Sequence, residues 1–468
     1  MARIVVVGAG ISGLAAAARL ATIGHRVTVC EAGPTHGGML GRHERDGFAF
    51  DTGPTLLTLP AVYRDLALKT GREPLEQLVT LTPVDPESRH RFADGTGLAL
   101  PNASRGGVAQ ALTEAFGNGA GERWGAVMNR GRAVWEATRR PLLEEPLPAD
   151  PARLGTDPYP VAPRRGLARL RPAAAPTLAQ VAARELGGHP ALTALLTEYA
   201  LRFGFDPRTA PAGATVIPYM EQTFGVWYVH GGLRALADAV YRRCEQRGVR
   251  FRFGERVDPA AEPGDLDADL LLRPAPGEAS APGRFTVLLA LRGPRPAGTV
   301  HRTVVHAADP QDELAALFGS PARLCERPTV QLLRPDDPAL RPDEAHEAVT
   351  LTVTVPSQAV FDWTAPGVAE RYADRLLAHL AAAGTDLADR VLWRVVRTPA
   401  DTERETSAPG GAVARPALAG AGGAFLQPAN TAADRPGRYL VGGAAHPGGG
   451  LARAGMSACV VAGLIGPA

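Results

Sequence analysis

The sequence contains very little lysine. Lys69 is the only lysine among the 50 basic residues, so arginine supplies nearly all of the positive charge. Acidic residues number 48, and the formal net charge at neutral pH is therefore only +2. Because no strong basic field is available to neutralise phosphate groups, we expect no nucleic-acid partner.

Two further absences limit the environment of the chain. The four cysteines, Cys30, Cys244, Cys325 and Cys459, lack the paired spacing of a metal site, so we expect no metal ion and a reduced, cytoplasmic setting. No run of about 18 apolar residues is present, so we expect no segment that spans a membrane. The apolar N-terminus contains a glycine turn, which favours folded structure over a signal peptide.

The most informative pattern lies at the start of the chain. Four β-branched residues, 4–7, predict a buried strand, and Gly8-Ala-Gly10-Ile-Ser-Gly13 follows them directly. Gly8 permits a tight turn, Gly10 lets a pyrophosphate approach the backbone, and Gly13 lets helix and strand pack closely. A helical pattern and a second apolar strand lead to Glu31, which can accept hydrogen bonds from ribose hydroxyls. We interpret this unit as a dinucleotide site; the alternative is a glycine-rich turn without a ligand.

Two glycine-rich segments follow. Residues 33–42 are too rich in glycine for a helix or strand, and residues 47–55 read Gly-Phe-Ala-Phe-Asp-Thr-Gly-Pro-Thr, a short strand and a sharp turn. In this order and spacing, the fingerprint, the acid and these segments resemble the bacterial phytoene desaturase family of FAD-dependent, amine-oxidase-like oxidoreductases. The likeness is specific at residues 4–66, 202–257 and 425–466, and looser between them.

The resemblance implies an α/β fold. It has a Rossmann-type FAD-binding domain, of the GR2 or amine-oxidase kind, and a mixed α+β substrate domain. Residues 1–75, 212–275 and 425–468 would form the discontinuous FAD-binding domain, and residues 76–211 and 276–424 the substrate domain. The Gly-Pro-Thr turn and the C-terminal Val-Gly-Gly with its glycine loop, which a nicotinamide enzyme would not need, indicate FAD as the cofactor. Only one strand–glycine–helix unit is visible, so we expect no built-in NAD(P)H site.

The implied FAD contacts come from all three matched segments. The helix N-terminus after Gly10 offers unpaired N–H groups and the positive end of a dipole to the phosphates. The C-terminal glycine loop would close over the flavin. The predicted FAD-binding residues are Gly8, Gly10, Ser12, Gly13, Glu31, Gly38, Met39, Arg42, Gly53, Pro54, Thr55, Val257, Gly442, Gly443, Gly450 and Met456.

Three departures from the family pattern suggest a changed substrate or reaction. Met39 stands where the family usually carries arginine or lysine, which removes one cation near the cofactor. Ala414 stands where the family carries an aromatic residue. The segment after Val257 is shortened to a linker in which residues 268–272 are a reduced trace of one family strand.

The family's reaction is dehydrogenation of a long polyene, which has no polar group for recognition. We therefore expect an apolar tunnel, with Phe224, Trp227 and Tyr228 as substrate contacts and ordinary core packing as the alternative. His446, in the C-terminal glycine loop, is the first candidate for proton handling, with a structural role in that loop as the alternative. Tyr228 and Glu221 are the other catalytic candidates.

Three functions stay open at this point. The leading one is desaturation of an apolar polyene, with electrons passing from the flavin to oxygen or a quinone. The second is a natural-product tailoring enzyme that oxidises or reductively cyclises a polyene polyketide or macrolactam, with NAD(P)H as a transient reductant. The third is a flavin- or pigment-binding protein without catalysis.

The remaining patterns concern local structure. Asp94-Gly95 predicts the turn of an antiparallel hairpin. Residues 146–176, rich in proline and arginine, predict either a solvated connector or a basic lid that contacts the inner face of a membrane. Helical periodicity predicts helices at 123–143, 178–201, 233–247 and 367–383.

Overall fold

The computed structural model of the protein describes residues 1–160, 175–432 and 435–468. Its strands are β1 (Arg3–Val7), β2 (Arg26–Glu31), β3 (Arg42–Arg45), β4 (Phe48–Asp51), β5 (Leu57–Thr58), β6 (Leu81–Pro83), β7 (Ser88–Arg91), β8 (Gly97–Leu100), β9 (Val226–Val229), β10 (Arg250–Phe253), β11 (Leu270–Pro274), β12 (Gly283–Arg292), β13 (Arg302–Val305), β14 (Val330–Leu333), β15 (His346–Val355), β16 (Val391–Arg397) and β17 (Arg438–Val441). Its helices are α1 (Ile11–Thr22), α2 (Ala61–Gly71), α3 (Leu75–Leu78), α4 (Arg105–Phe116), α5 (Ala120–Arg139), α6 (Leu178–Glu185), α7 (Pro190–Leu201), α8 (Val216–Phe224), α9 (Arg234–Gln246), α10 (Pro310–Phe318), α11 (Val368–Ala382), α12 (Pro399–Thr406) and α13 (Leu451–Ile465).

A five-stranded parallel sheet, in the order β10-β2-β1-β11-β17, carries helices α1 and α13. Its strands come from the start, the middle and the end of the chain, inside the three segments predicted for the FAD-binding domain. The predicted strand remnant at 268–272 is confirmed as β11, in which Leu270 lies opposite Ile4 of β1. Apolar strand residues suit a parallel sheet that is covered on its faces. The exact domain boundaries stay a prediction.

A seven-stranded sheet, in the order β16-β12-β15-β14-β13-β7-β8, forms the second layer. The hairpin predicted around Asp94-Gly95 is confirmed, since β7 and β8 pair antiparallel across that turn. Side chains alternate between the two faces of a strand, and one face here is apolar. Phe285 and Val305 on that face share a core with Tyr372 and Leu376 of α11. The opposite face, which turns toward α7 and α8, is described with the site.

Two small sheets link the layers. Strands β5, β9 and β6 form one of them, with β9 in the centre, and β3 pairs with β4 in the other. Leu57 of β5 lies opposite Trp227 of β9, so the segment after the Gly-Pro-Thr turn is joined directly to the aromatic strand. Asn102 reinforces this joint because its side-chain nitrogen donates to the Val226 carbonyl oxygen at 2.9 Å.

One predicted helix is wrong. Residues 178–201 form two helices, α6 and α7, with Gly187 and Gly188 between them at φ values of +66° and +64°. This left-handed conformation ends a helix, and Pro190 begins the next one because its ring suits a first turn. The other predicted helices are confirmed as α5, α9 and α11, with a turn of π-helix, Arg140–Glu144, continuing α5.

Candidate cofactor and substrate site

The first turn of the chain forms an open cradle at the carboxyl edge of the parallel sheet. The Gly8 N–H donates to the Cys30 carbonyl oxygen at 2.8 Å, and Gly8 adopts φ +93°. A Cβ on Gly8 would meet no atom within 4 Å, whereas a Cβ on Gly13 would overlap the Gly8 carbonyl oxygen. Helix α1 starts after Gly10 with no side-chain cap, so its first N–H groups are left for another acceptor.

Glu31 closes one side of this cradle. Its carboxylate accepts hydrogen bonds from the N–H groups of Ala9 and Gly33, both at 2.7 Å. The acid therefore ties the end of β2 to the first turn, and it remains partly exposed at the same edge. Two oxygens with four lone-pair sites leave room for further donors, as ribose hydroxyls would be. The predicted ribose contact stays a prediction.

The Gly-Gly loop packs directly on the first turn. The Gly37 N–H donates to the Ala9 carbonyl oxygen at 2.9 Å, and a Cβ on Gly38 would lie 3.0 Å from the Gly10 Cα. Met39, which replaces the family's usual cation, is 42% exposed beside this contact. The loop is thus held close to the cradle by its glycines.

The Gly-Pro-Thr turn stacks on the same loop. A Cβ on Gly53 would overlap the Met39 carbonyl oxygen, and Thr52 donates its N–H to the Gly41 carbonyl oxygen at 3.0 Å. Pro54 is exposed and Thr55 half-buried. Arg42 reaches across to the Gly231 carbonyl oxygen, with its Nη1 donating at 3.2 Å.

The C-terminal glycines reach the first turn from the opposite side. A Cβ on Gly442 would lie 3.7 Å from the Ser12 Oγ, and the Gly442 N–H donates to the Ser457 Oγ at 3.1 Å. The loop ends at Gly450, after which α13 begins without a side-chain cap. The first residue of α13, Leu451, is fixed by Tyr63, whose hydroxyl donates to the Leu451 carbonyl oxygen at 2.8 Å. The first turn and the C-terminal glycine loop are therefore in contact.

These residues fit a flavin dinucleotide. The cradle has open space at the first turn, glycines that keep three segments together, an acid at the end of β2 and two uncapped helix N-termini. Val257 packs beside Val5 and Cys30 at the edge of the sheet, and Met456 is half-buried on α13. The role of each individual residue toward the cofactor stays a prediction.

His446 is buried below the glycine loop. Its Nε2 forms a hydrogen bond with the Glu145 carbonyl oxygen at 2.9 Å, and its own carbonyl accepts from the Asn430 side chain at 2.8 Å. Within the described residues its Nδ1 has no partner, and burial lowers the pKa of the ring. The geometry favours the structural alternative, and catalysis by His446 stays a prediction.

Tyr228 and Trp227 face opposite sides of β9. The Tyr228 hydroxyl donates to Asp337 Oδ2 at 2.7 Å, and burial raises the pKa of the phenol. Trp227 instead lies with Phe224, whose carbonyl accepts from the Trp227 Nε1 at 3.2 Å, and Phe224 packs edge-on against Trp135 at 5.6 Å. Because neighbouring strand residues alternate, Tyr228 and Trp227 cannot line the same wall.

Glu221 sits in a buried ion cluster. Arg202 donates to both of its carboxylate oxygens, at 3.1 and 2.8 Å, and Arg302 donates to one at 2.9 Å. Burial alone would raise the pKa of Glu221, but the charges of the two arginines outweigh it and hold the pKa at about 2. Such a carboxylate is a weak base, so this environment argues against Glu221 as the general base.

The cluster covers the part of the inner sheet face that β7, β13 and β14 form, whereas Leu288 and Ala290 of β12, on the same face, pack against Phe48 and Phe50. Arg302, Gln331 and His90 share that face by register, and Gln331 donates to Glu198 at 2.7 Å. Glu87, fully buried beside Arg302, has no hydrogen-bond partner for either oxygen within the described residues. Burial and the charge of Glu221 raise the pKa of Glu87 well above its usual range. The sequence predicts an apolar tunnel for the substrate and gives no sign of this charged cluster.

Asp51 has a structural role that the sequence did not predict. Its carboxylate accepts from the N–H groups of Leu233 and Arg234 at 2.9 and 3.2 Å, which caps α9. A Cβ on Gly232 would lie 2.7 Å from Asp51 Oδ1, so the paired glycines make room for the acid. The sequence offered one sign, the acid inside Gly-Phe-Ala-Phe-Asp, but not the partner helix.

The described residues contain neither a cluster of metal ligands nor a membrane-spanning helix. Over residues 1–160, 175–432 and 435–468, no group of three or more histidine, cysteine, aspartate or glutamate side chains is placed to hold a metal ion. No helix in those ranges has the length and apolar character needed to cross a membrane. Residues 161–174 of the predicted lid or membrane-facing segment, 146–176, lie outside the described residues, and the prediction for that segment stays untested.

Known proteins share both sequence and fold with this chain. Residues 11–259 match the flavin containing amine oxidoreductase family. The chain is 28% identical to the hydroxyneurosporene desaturase of Rhodobacter capsulatus, over 96% of this chain and 94% of that protein. It is 33% identical to the phytoene dehydrogenase of Streptomyces griseus, over 56% of this chain and 50% of that protein.

The solved structures concern the fold alone. Putrescine oxidase with bound putrescine superimposes with a TM-score of 0.61 at 14% identity, over 99% of this chain and 98% of that one. An oxidoreductase from Methanosarcina mazei gives 0.60 at 15% identity, over 98% and 99%. The predicted fold class and the predicted FAD cofactor are confirmed. The chain belongs to the flavin containing amine oxidoreductase family, as an FAD-dependent oxidoreductase with a Rossmann-type domain and a mixed α+β substrate domain.

Proposed function

We propose that this protein is a desaturase of an apolar polyene. Two hydrogens leave adjacent carbons of the substrate, one as hydride and one as a proton, and a C=C bond extends the conjugation. The two electrons then pass to an acceptor of the quinone or dioxygen class. The observation that carries the proposal is the similarity to the Rhodobacter hydroxyneurosporene desaturase over 96% of this chain.

The chain's own residues would hold the cofactor at the carboxyl edge of the parallel sheet. The first turn and the uncapped start of α1 offer N–H groups to a diphosphate, and Glu31 offers oxygens to a ribose. The Gly442–Gly450 loop closes the other side. When bound, FAD supplies the hydride-accepting ring. Orientation of the substrate and exclusion of water fall to the protein.

The half-buried pair Phe224 and Trp227 is the best-placed apolar wall for the substrate. Strand β9, which carries Trp227, pairs through Leu57 with the segment that follows the Gly-Pro-Thr turn. An apolar chain is bound mainly by removing its surface from water, which is worth roughly 25 cal/mol per Å². The buried cluster around Glu221 would serve a different purpose: it fixes α7 and α8 over the charged sheet face.

The proposal predicts a direct spectroscopic response. Under anaerobic conditions, a phytoene-like polyene in detergent micelles should bleach the absorbance of the bound flavin, with formation of a more conjugated product. Trp227→Ala should slow this bleaching, whereas Tyr228→Phe, on the other face of β9, should change it little. Equal rates for wild type and Trp227→Ala would reject Trp227 as a substrate contact.

The same experiment separates the competing functions. Bleaching by NADPH alone, with no response to polyenes, would replace desaturation by the tailoring reaction. A flavin spectrum that no reductant or polyene alters would favour a binding protein. Oxygen and quinone are distinguished as acceptors by following reoxidation of the bleached protein with each in turn.

We also propose peripheral contact with the inner face of a membrane through the basic segment 162–172, on its sequence alone. Deletion of residues 162–172 should reduce co-sedimentation with anionic liposomes. Unchanged co-sedimentation would return this segment to the role of a solvated connector.

A further inference from the structure

Arg453 is a half-buried arginine that has no counter-ion among the described residues. It lies in the first turn of α13, three residues after Gly450. Its Nη2 contacts the Met220 Sδ at 3.7 Å, its Nε is buried without a partner, and no carboxylate pairs with it in the described part of the chain. The two arginines of the ion cluster, Arg202 and Arg302, are instead each paired with Glu221.

This arrangement is costly unless an anion completes it. A guanidinium whose Nε is buried needs a charged or strongly polar partner, and a thioether sulfur is a poor one. Burial lowers the pKa of Arg453 to about 10, so the side chain stays positively charged at neutral pH. The uncapped N-terminus of α13 adds N–H groups and a positive dipole end at the same place.

The position of Arg453 identifies which part of the site it serves. The diphosphate end of the cradle lies at α1, where Gly442 approaches Ser12. Gly450 lies at the other end of the same loop, beside the substrate domain: a Cβ there would be 3.7 Å from the Phe203 ring and 4.0 Å from the Arg453 Nη1. When FAD is bound, a ring that reacts with a substrate held by the second domain would lie at this end of the loop.

We propose that Arg453 and the N-terminus of α13 form a site for the negative charge that the flavin ring gains on reduction. Two electrons and one proton enter the ring as a hydride, so the ring gains one net negative charge, and the substrate's second hydrogen leaves as a proton. Arg453 would thereby raise the reduction potential of the cofactor. The inference rests on FAD binding and not on the identity of the substrate.

The test compares variants that keep or remove the charge. Arg453→Lys keeps it, while Arg453→Met and Arg453→Gln remove it at similar length. Arg438→Met is the control, because Arg438 is an arginine with a counter-ion: it pairs with Glu262 at the first residue of β17, at the amino ends of the strands and away from the glycine loop. Each variant is saturated with FAD, and its midpoint potential and its sulfite dissociation constant are measured.

We expect the neutral variants to bind sulfite at least tenfold more weakly. A tenfold weaker stabilisation of the two-electron reduced state corresponds to a midpoint potential lower by about 30 mV. Arg453→Lys and Arg438→Met should stay near the wild-type values. If Arg453→Met does not retain FAD, Arg453→Gln against Arg453→Lys gives the same comparison.

Two outcomes would overturn the inference. One is a wild-type potential and sulfite affinity in both neutral variants. The other is an unchanged potential with a raised KM for the polyene, which would assign Arg453 to an anionic or polar group of the substrate. Both flavin measurements are made without substrate, so they remain decisive even if polyene desaturation itself is disproved.

Discussion

The parallel sheet and the seven-stranded sheet differ in how their polar groups find partners. At the edge of the parallel sheet, the cofactor site is made of backbone: glycines, uncapped helix ends and one acid that is held by N–H groups. On the inner face of the seven-stranded sheet, the polar groups are side chains, with Glu221 clamped between Arg202 and Arg302. The first site is left open for a ligand, whereas the second is largely satisfied from within.

The difference shows what each region does. Open N–H groups and an unpaired cation at Arg453 gain stability when a ligand arrives, so that region is built for binding. The Glu221 cluster is compensated for its removal from water mainly by its own ion pairs, although both Glu87 oxygens lack a hydrogen-bond partner in the described residues. The charged cluster therefore holds α7 and α8 in place, a role that the sequence did not predict.

The largest expected effect comes from breaking the ion cluster. Glu221→Ala leaves Arg202 and Arg302 with only the more distant Glu198 as a shared partner, and it should lower the free energy of unfolding by about 3–5 kcal/mol. Glu136→Ala removes an exposed partner of Arg132 and should have no measurable effect. Urea denaturation of both variants checks this, and equal stability of the two would show that the cluster contributes nothing.

The next effect depends on pH. Burial raises the pKa of Asp51 from 3.8 to about 6 although it caps α9. A raised folded-state pKa adds stability that is fully present below pH 3.8 and is lost as the pH rises through 6. This contribution is at most about 3 kcal/mol, at 1.36 kcal/mol per pKa unit.

Asp51→Asn removes the titration and provides the reference. Denaturant titration at several pH values gives the unfolding free energy of wild type and of Asp51→Asn. The value for wild type minus the value for Asp51→Asn should decrease as the pH rises from about 4 to about 7. A difference that is flat or rises with pH would contradict the raised pKa.

A smaller effect is expected at the cofactor cradle. Glu31→Ala removes the acceptor shared by Ala9 and Gly33 and the predicted ribose contact. FAD should bind about 10–100-fold more weakly, since hydrogen bonds to a charged group are worth about 1.5–3 kcal/mol. Fluorescence titration of the apoprotein measures this, with Glu136→Ala as control. Unchanged affinity would move the cofactor away from Glu31.

The smallest effect concerns the start of α13. Tyr63→Phe removes only the hydrogen bond from the phenol to the Leu451 carbonyl oxygen. The loss should be about 1 kcal/mol in the free energy of unfolding, as for a single neutral hydrogen bond. A thermal scan detects it, and a much larger loss would show that this bond organises the whole glycine loop.

The cofactor region was readable from the sequence because its rules are local. Gly8, Gly13 and Glu31 act within one strand–helix–strand unit, so their spacing alone predicts their positions. The split of residues 178–201 into two helices was also encoded locally, in Gly187, Gly188 and Pro190, but the apolar periodicity on either side concealed it.

The placement of the catalytic candidates was not readable. The sequence put Tyr228 and Trp227 together, and the alternation of β9 separates them. The position of His446 in a glycine loop suggested a role in proton handling. In the fold its ring forms a hydrogen bond with the Glu145 carbonyl oxygen, 301 residues away in sequence. Side-chain direction in a loop depends on neighbours from other parts of the chain.

The amino-acid sequence by itself determined the family, the cofactor and the strand–turn–helix unit that receives it, because glycine spacing and backbone geometry act over a few covalently linked residues. Only the tertiary structure decided that Glu87, Glu221 and Arg302 form one buried cluster and that Arg453 has no counter-ion among the described residues. Electrostatic partners are chosen by distance in space, and these residues come from segments that are brought together only when both sheets have formed.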